Sequence, residues 1–415
     1  MIKYIGSKRV LVPLIAEVVA GLRREGAVVD LFSGTARVGH GLKARGLRVV
    51  SNDLNAYAAT LATCYVQADR EEWASQAERH IQELNALPGE PGYFTRTFCE
   101  RSRFFRPKNG ARVDAIRDEI ARRALPRELE AILVTSLMEA ADRVDSTTGV
   151  QMAYLKTWAP RAHNDLELRL PRLLPRARSG KGAAHQLEAA DAARSLTGDV
   201  GYLDPPYNQH KYLGNYHIWE TLVRWDGPEA YGTACKRIDC RERKSAFNSK
   251  PRIHAALTDV VENLDVRHLV VSFNNEGYIT REEMVDILSA RGDVFVLERD
   301  FKRYVGAQIG IYNPDGDKVG EVSHLTNKEY LFIVPERGAD ISLPRDLLRS
   351  PQEVFAFEAD DSSSQARQGD RVEGEKAHST TARAVALTEA VQAALRCGPS
   401  LSSGEIQAHP RPPRL

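Results

Sequence analysis

The run Leu203-Asp204-Pro205-Pro206-Tyr207 holds residues whose types and order could do chemistry. It closes an apolar stretch, and two prolines cannot continue a β-ladder because they lack the N–H it needs. Asp204, once ionised, only accepts hydrogen bonds, and Pro205 offers a carbonyl without a donor. Two rigid acceptors side by side can grip both hydrogens of an –NH2 group, and Tyr207 adds a flat face on which a base can stack. The exocyclic amine of a purine is a poor nucleophile because its lone pair is delocalised into the ring. Acceptors that draw its hydrogens out of plane would localise that pair and aim it at an electrophile, with the prolines holding the acceptors still. The bland reading of an isolated Asp-Pro-Pro is a strand-ending turn with an exposed acid.

A second constellation lies upstream. VVDLFSGTARVGHGL sets Gly34, Ala36 and Gly39 as G-x-A-x-x-G between a strand and a helix. Small residues there let a ligand approach the backbone, and a helix start offers free N–H groups. Asp53 ends the next strand, where a carboxylate can accept both hydroxyls of a ribose. No GK[ST] follows, so this is not a phosphate loop of that kind. Ala36 replaces a frequent glycine, and alanine tolerates most negative φ values, so the substitution bears on the loop's shape more than on binding. By itself the loop fits a dinucleotide oxidoreductase or a ligand-free turn equally well. Lys8 supplies a cation that could orient carboxylates near the Asp204 turn or meet a phosphate, unless it is merely solvated.

The elements that must position these groups read as an α/β fold. KRVLVPLIAEVVAGLRREG has helical spacing, and AVVDLF, HGLKARG and LRVVSND then give a strand, a helix and a strand, the start of a doubly wound parallel sheet. Strand signals vanish over 61–184, which reads as a mostly helical insertion. They return at HQLEAAD, DVGYLD, HLVVSFN, VFVLERDF and EYLFIVP, so the sheet is built from 1–60 and 185–345. Residues 346–415 are rich in Ser, Gln, Gly and charge and read as a disordered tail.

Bulk properties exclude some classes. With 42% hydrophobic and 27% charged residues the composition is that of an ordinary globular protein. There is no membrane-length apolar run and no apolar leader in MIKYIGSKRV. Five scattered cysteines without a CxxC pair point to free thiols and a cytoplasmic location. His210, His217 and His254 with Cys235 and Cys240 fit no standard zinc spacing, so no metal is expected. The net charge of +1 averages basic stretches at 96–127, 156–181 and 236–252 against an acidic one at 353–376. The basic stretches suit a phosphate-facing surface or solvated helix faces.

In sum of motifs, the chain resembles the Dam-like adenine-specific DNA methyltransferases. The likeness rests on Lys3-Tyr4-Ile5-Gly6-Ser7-Lys8, on Asp30-Leu31-Phe32-Ser33-Gly34-Thr35 and on Asp204-Pro205-Pro206-Tyr207, in that family's order. It covers about 1–65 and 185–335, with the insertion and tail unmatched. The resemblance implies the S-adenosyl-L-methionine-dependent methyltransferase fold and that cofactor. It implies that Tyr4 and Lys8 contact the cofactor, that Phe32 and Gly34 line its pocket, that Asp53 holds its ribose, and that Asp191, at the end of the strand before the prolyl turn, meets its adenine. Asp204, with Pro205, Pro206 and Tyr207, would serve the target amine and, in the case of Asp204, the cofactor too. Double-stranded DNA is the implied partner, with a cognate restriction endonuclease allowed.

An adenine amine inside a duplex is paired, so the base would have to be flipped out. RSRFFRPKNGAR suits phosphate contact and intercalation, with Arg101, Arg103, Arg106 and Lys108 as candidate DNA ligands, and Lys211 is a further candidate beside the prolyl turn. KYLGNYHIWE, just after the prolyl turn, is aromatic-rich and could line the target pocket or cover it as a loop, although the helical spacing of Trp219, Leu222 and Val223 favours core packing. Two rival readings remain open on sequence: the same chemistry on RNA, and a non-catalytic DNA-binding protein on the same scaffold. Cytosine-amine enzymes usually carry Ser where Asp204 stands, which argues against that substrate.

Overall fold

The computed structural model describes residues 1–22, 26–209, 211–302, 311–312, 318–320 and 326–339; the tail expected at 346–415 lies outside them. Seven strands form the central sheet: β1 Val28–Asp30, β2 Val49–Asn52, β3 Ala183–His185, β4 Thr197–Leu203, β5 Asp265–Asn274, β6 Phe295–Lys302 and β7 Thr326–Val334. Their spatial order is β3-β2-β1-β4-β5-β7-β6. β1 pairs in parallel with both β2 and β4, and β7 runs antiparallel between β5 and β6. The sheet is thus mostly parallel, as expected. Because chain order reverses between β1 and β4, a crevice opens beyond their carboxyl ends, the place where open α/β sheets bind ligands.

The strands read as unbroken apolar runs because both faces are covered. Val28 points into a core shared with helix Val12–Leu22 (α1) and helix Arg37–Ala44 (α2), whereas its neighbour Val29 points into a second core. The second core is closed by helices Ala189–Ser195, Lys250–Asn263 and Arg281–Ser289. The period-two alternation of a strand is what splits adjacent valines between two layers.

The insertion is helical only in its first part, with Arg70–Ala86, Pro107–Arg122 and Arg127–Arg143. From 144 to 182 the chain is irregular apart from the short turn Pro160–His163. Pro160, Pro171 and Pro175 account for that difference, since each removes a helical donor. Ile116, Leu133 and Leu137 of the insertion join the same apolar cluster as Val28, so these helices extend the sheet's own core. Arg117 donates from Nε to the Leu222 carbonyl at 2.9 Å and from Nη2 to that of Val223 at 3.0 Å, bracing the end of helix His217–Arg224.

One further expectation is corrected at this level. The strand expected in HQLEAAD lies at Ala183–His185, and the alanine-rich segment after it is helix Ala189–Ser195, as alanine's helix propensity favours. The stretch after the prolyl turn also holds a small antiparallel ribbon, Ala230–Tyr231 against Lys236–Arg237. Among the described residues no helix is long and apolar enough to cross a membrane.

Candidate active site

The loops after β1, β2 and β4 meet the N-terminal segment around one cleft of about 1390 Å³, its open mouth included. Each wall has a local cause. At the β1 end the chain must turn sharply into α2, and Gly34 takes a left-handed φ of 51° to do so. Its N–H then donates to Asp53 Oδ2 at 2.9 Å, while the Asn55 N–H donates to Asp53 Oδ1 at 2.9 Å. Ala36, whose replacement of a glycine bore on the loop's shape, also sits left-handed at φ 58°, a conformation that suits glycine. Gly39 is fixed by proximity instead: a Cβ there would lie 2.9 Å from Val66 Cγ2 and 3.3 Å from Asp30 Oδ2.

The N-terminal block forms an aromatic wall. Tyr4 stacks on Tyr216 at 4.5 Å and on Tyr212 at 5.3 Å between ring centroids, and its hydroxyl lies 3.1 Å from that of Tyr57. The Ile5 N–H donates to the Tyr216 hydroxyl at 2.6 Å. On the opposite side Phe32 meets Phe247 edge to face at 5.0 Å, and Asn248 Nδ2 donates to the Asn208 carbonyl at 2.8 Å, tying this wall to the prolyl turn.

Asp204 faces the cleft at the end of β4. Lys8, only 6% exposed, places its Nζ 3.2 Å from Asp204 Oδ1 and 3.2 Å from Glu329 Oε2 on β7. Burial works against the ammonium, yet Asp204 and then Glu329 outweigh it and hold its pKa well above the ordinary value. Burial pushes the Asp204 carboxyl up to about 6; Lys8 opposes that rise and Glu329 adds to it. Asp53 is pushed up to about 6 by burial, against the hydrogen bonds from Asn55 and Gly34. Asp30 is the extreme case. Burial first, then Asp204 and Asp53, raise it to about 8 against a lowering contact from the Gly39 N–H, and neither of its carboxylate oxygens has a hydrogen bond of good geometry among the described residues. A buried, unsatisfied carboxylate beside two others makes this end of the cleft suited to a cationic ligand.

Tyr4, Lys8, Phe32, Gly34, Asp53, Asp204, Pro206 and Lys211 all line the one cleft, although they come from distant parts of the sequence. Pro205 is buried behind the turn. Tyr207 packs edge-on against Phe273 at 5.4 Å, and burial pushes its pKa up to about 12. Asp191 is a correction: it lies exposed in the first turn of helix Ala189–Ser195 and outside the cleft, whose edge there is formed by Leu187, Glu188 and Ala189.

The aromatic-basic loop is also corrected. Phe104 and Phe105 are fully buried in the core and cannot intercalate. Arg103 lies over Trp158 at 4.7 Å and donates to the Lys156 carbonyl at 2.7 Å, and Arg106 lies over the same ring at 5.3 Å. Arg101 donates to the Ala230 carbonyl at 3.3 Å, and Lys108 pairs with Asp165 at 2.6 Å. Trp219 and Leu222 are core residues, as their spacing indicates.

Sequence reading missed Glu329, Phe247 and the unpaired state of Asp30, whereas Tyr212, in the aromatic segment expected near the target pocket, does line the cleft. Asp30 could have been found, since it ends a strand within the LFSGT block. Glu329 carries no local signal, because only the antiparallel insertion of β7 brings it to Lys8.

Comparison with known proteins agrees with this geometry. Residues 4–287 match the family described as D12 class N6 adenine-specific DNA methyltransferase. The chain is similar to Modification methylase StsI of Streptococcus sanguinis, 28% identical over 321 residues that cover 73% of this chain and 48% of that protein. It is 32% identical over 309 residues to Type II methyltransferase M.FokI of Planomicrobium okeanokoites, covering 70% and 47%. Type II methyltransferase M.NlaIII of Neisseria lactamica is 27% identical over 312 residues, covering 72% and 90%. The chain therefore spans about half the length of the first two relatives and nearly all of the third. With more than half of its length matched, motif order and cleft included, the chain belongs to the D12 class of N6 adenine-specific DNA methyltransferases.

Proposed function

We propose that the protein transfers a methyl group from S-adenosyl-L-methionine to the 6-amino group of an adenine flipped out of double-stranded DNA. The observation that carries this reading is the shared cleft: the prolyl turn with Asp204 opens onto the same space as Gly34, Asp53 and the unpartnered Asp30. The residues fit the cofactor. Asp53 Oδ2, which accepts only from Gly34, keeps a lone pair for a ribose hydroxyl, while Asn55 holds Oδ1 through its N–H and Nδ2, and the buried Asp30 suits a cation. Tyr4 and Phe32 offer apolar surface along the walls. When bound, S-adenosyl-L-methionine supplies an electrophilic methyl group on a sulfonium.

The chain's own groups do the rest. Ionised Asp204 accepts one hydrogen of the target amine and the Pro205 carbonyl the other, which frees the nitrogen lone pair from the ring. Lys8 holds the Asp204 carboxylate in place at 3.2 Å. Tyr207 supplies the stacking face.

DNA reaches this cleft across a basic surface. Lys211 stands in the cleft lining and contacts the flanking backbone. Arg101, Arg103 and Arg106 meet phosphates, because their internal partners are carbonyls and an indole ring that leave the positive charge uncompensated. Lys108 contributes less, since Asp165 neutralises it. The insertion selects the recognition sequence, and similarity to proteins named modification methylases and type II methyltransferases supports a companion restriction endonuclease. A DNA substrate and buried free thiols at Cys64, Cys99, Cys235 and Cys240 support a cytoplasmic location.

Incubation of the protein with methyl-labelled cofactor and either duplex DNA or RNA tests the reading. Label entering DNA is expected; label entering RNA alone, or cofactor binding without transfer to either polymer, would overturn it.

A further inference from the structure

Glu329 has no place in the chemistry described above. It lies outside the cleft lining, on the antiparallel strand β7, and its side chain is only 13% exposed. Its Oε2 nevertheless lies 3.2 Å from Lys8 Nζ, the same distance at which Asp204 meets that nitrogen. One buried ammonium therefore serves two carboxylates, and the trio carries a net charge of −1. A neutral Lys8–Asp204 pair would satisfy the buried charge more simply, so the second acid needs an account.

We propose that Glu329 is a positioning residue for methyl transfer, anchoring Lys8 and keeping Asp204 a strong acceptor for the target amine. The inference rests on the function proposed above. Sharing the ammonium weakens its pull on Asp204, and the second negative charge repels the first. Both effects leave more electron density on the Asp204 oxygens, and acceptor strength follows basicity. The direction agrees with the raised proton affinity of Asp204, to which Glu329 contributes.

Other charged or titratable groups facing Asp204 are Asp30 at the end of β1, Tyr202 on β4, Tyr207 in the turn and Tyr212 after it. The three tyrosines are pushed upward by burial and stay neutral between pH 5 and 8. Asp30, pushed upward by burial, acts equally on wild type and variants.

The test is the pH dependence of kcat/KM for DNA at saturating cofactor, in wild type, Glu329→Gln and Glu329→Asp. Glu329→Gln keeps the shape and an acceptor for Lys8 but removes the charge. Its acid limb should move down by about one pH unit, with a several-fold lower plateau and unchanged cofactor affinity. Glu329→Asp keeps the charge and should keep the limb at the wild-type position. A limb unmoved in Glu329→Gln, or moved equally in both variants, overturns the role of Glu329. Wild-type protein that methylates no DNA at any pH overturns instead the functional reading beneath it.

Discussion

Asp204, Asp53 and Asp30 bind protons more tightly than free aspartates because burial penalises their charged forms before any neighbour acts. For Asp204 this has a kinetic consequence. The acceptor must be ionised, so kcat/KM for DNA at saturating cofactor should fall tenfold per unit below a bend at or just under pH 6, since a bound cation lowers the value of about 6. Asp204→Asn, which cannot accept from the amine in the same way, should cost at least about a hundredfold in rate while leaving cofactor binding measurable. For Asp30 the consequence is stability. Its folded value near 8 lies above the ordinary 3.8, so the folded state holds the proton longer and loses stability as pH climbs between the two. Asp30→Asn should raise the thermal midpoint of the ligand-free protein at about pH 8. The gain should vanish near about pH 4, and cofactor affinity should drop. Differential scanning fluorimetry across pH, with a parallel binding titration, checks both halves.

The elements around the site differ in how much of them could be read. β1, β2, β4 and β5 were legible because buried parallel strands are local apolar runs, and β6 and β7 because β-branched and aromatic residues cluster in them. The prolyl turn and glycine loop were legible because their chemistry is contiguous in sequence. Asp191 was misplaced because three residues of strand followed by alanine-rich helix resemble one longer strand. Phe104 and Phe105 were misread because an aromatic beside arginines looks the same whether the ring faces DNA or a helical core; only the packing of Phe94, Phe98 and Trp219 around them decides. Glu329 was invisible, since register between β5, β7 and β6 is set by long-range pairing. The strand–loop–helix junction carries its own expectation. Gly39→Ala would press a methyl to 2.9 Å from Val66 Cγ2 and crowd Asp30, so it should destabilise the protein by about 1–3 kcal/mol and weaken the cofactor site together. Urea denaturation of the two proteins measures the first effect and a binding titration the second.

For the whole molecule, the sheet's order reversal places the glycine loop, Asp53 and the prolyl turn together beyond the carboxyl ends of neighbouring strands, and the insertion shares the sheet's core rather than hanging from it. A net charge of +1 conceals arginines whose internal partners leave their charge available to phosphate. The central claim is that this assembled edge methylates the adenine amine through Asp204. It is tested most directly by transferring labelled methyl groups to duplex DNA, digesting to nucleosides and finding where the label sits, for wild type and Asp204→Ala side by side. The account requires label in N6-methyl-2′-deoxyadenosine from wild type and none from the variant, with cofactor binding retained. Label in cytosine, or undiminished adenine methylation by Asp204→Ala, would contradict it.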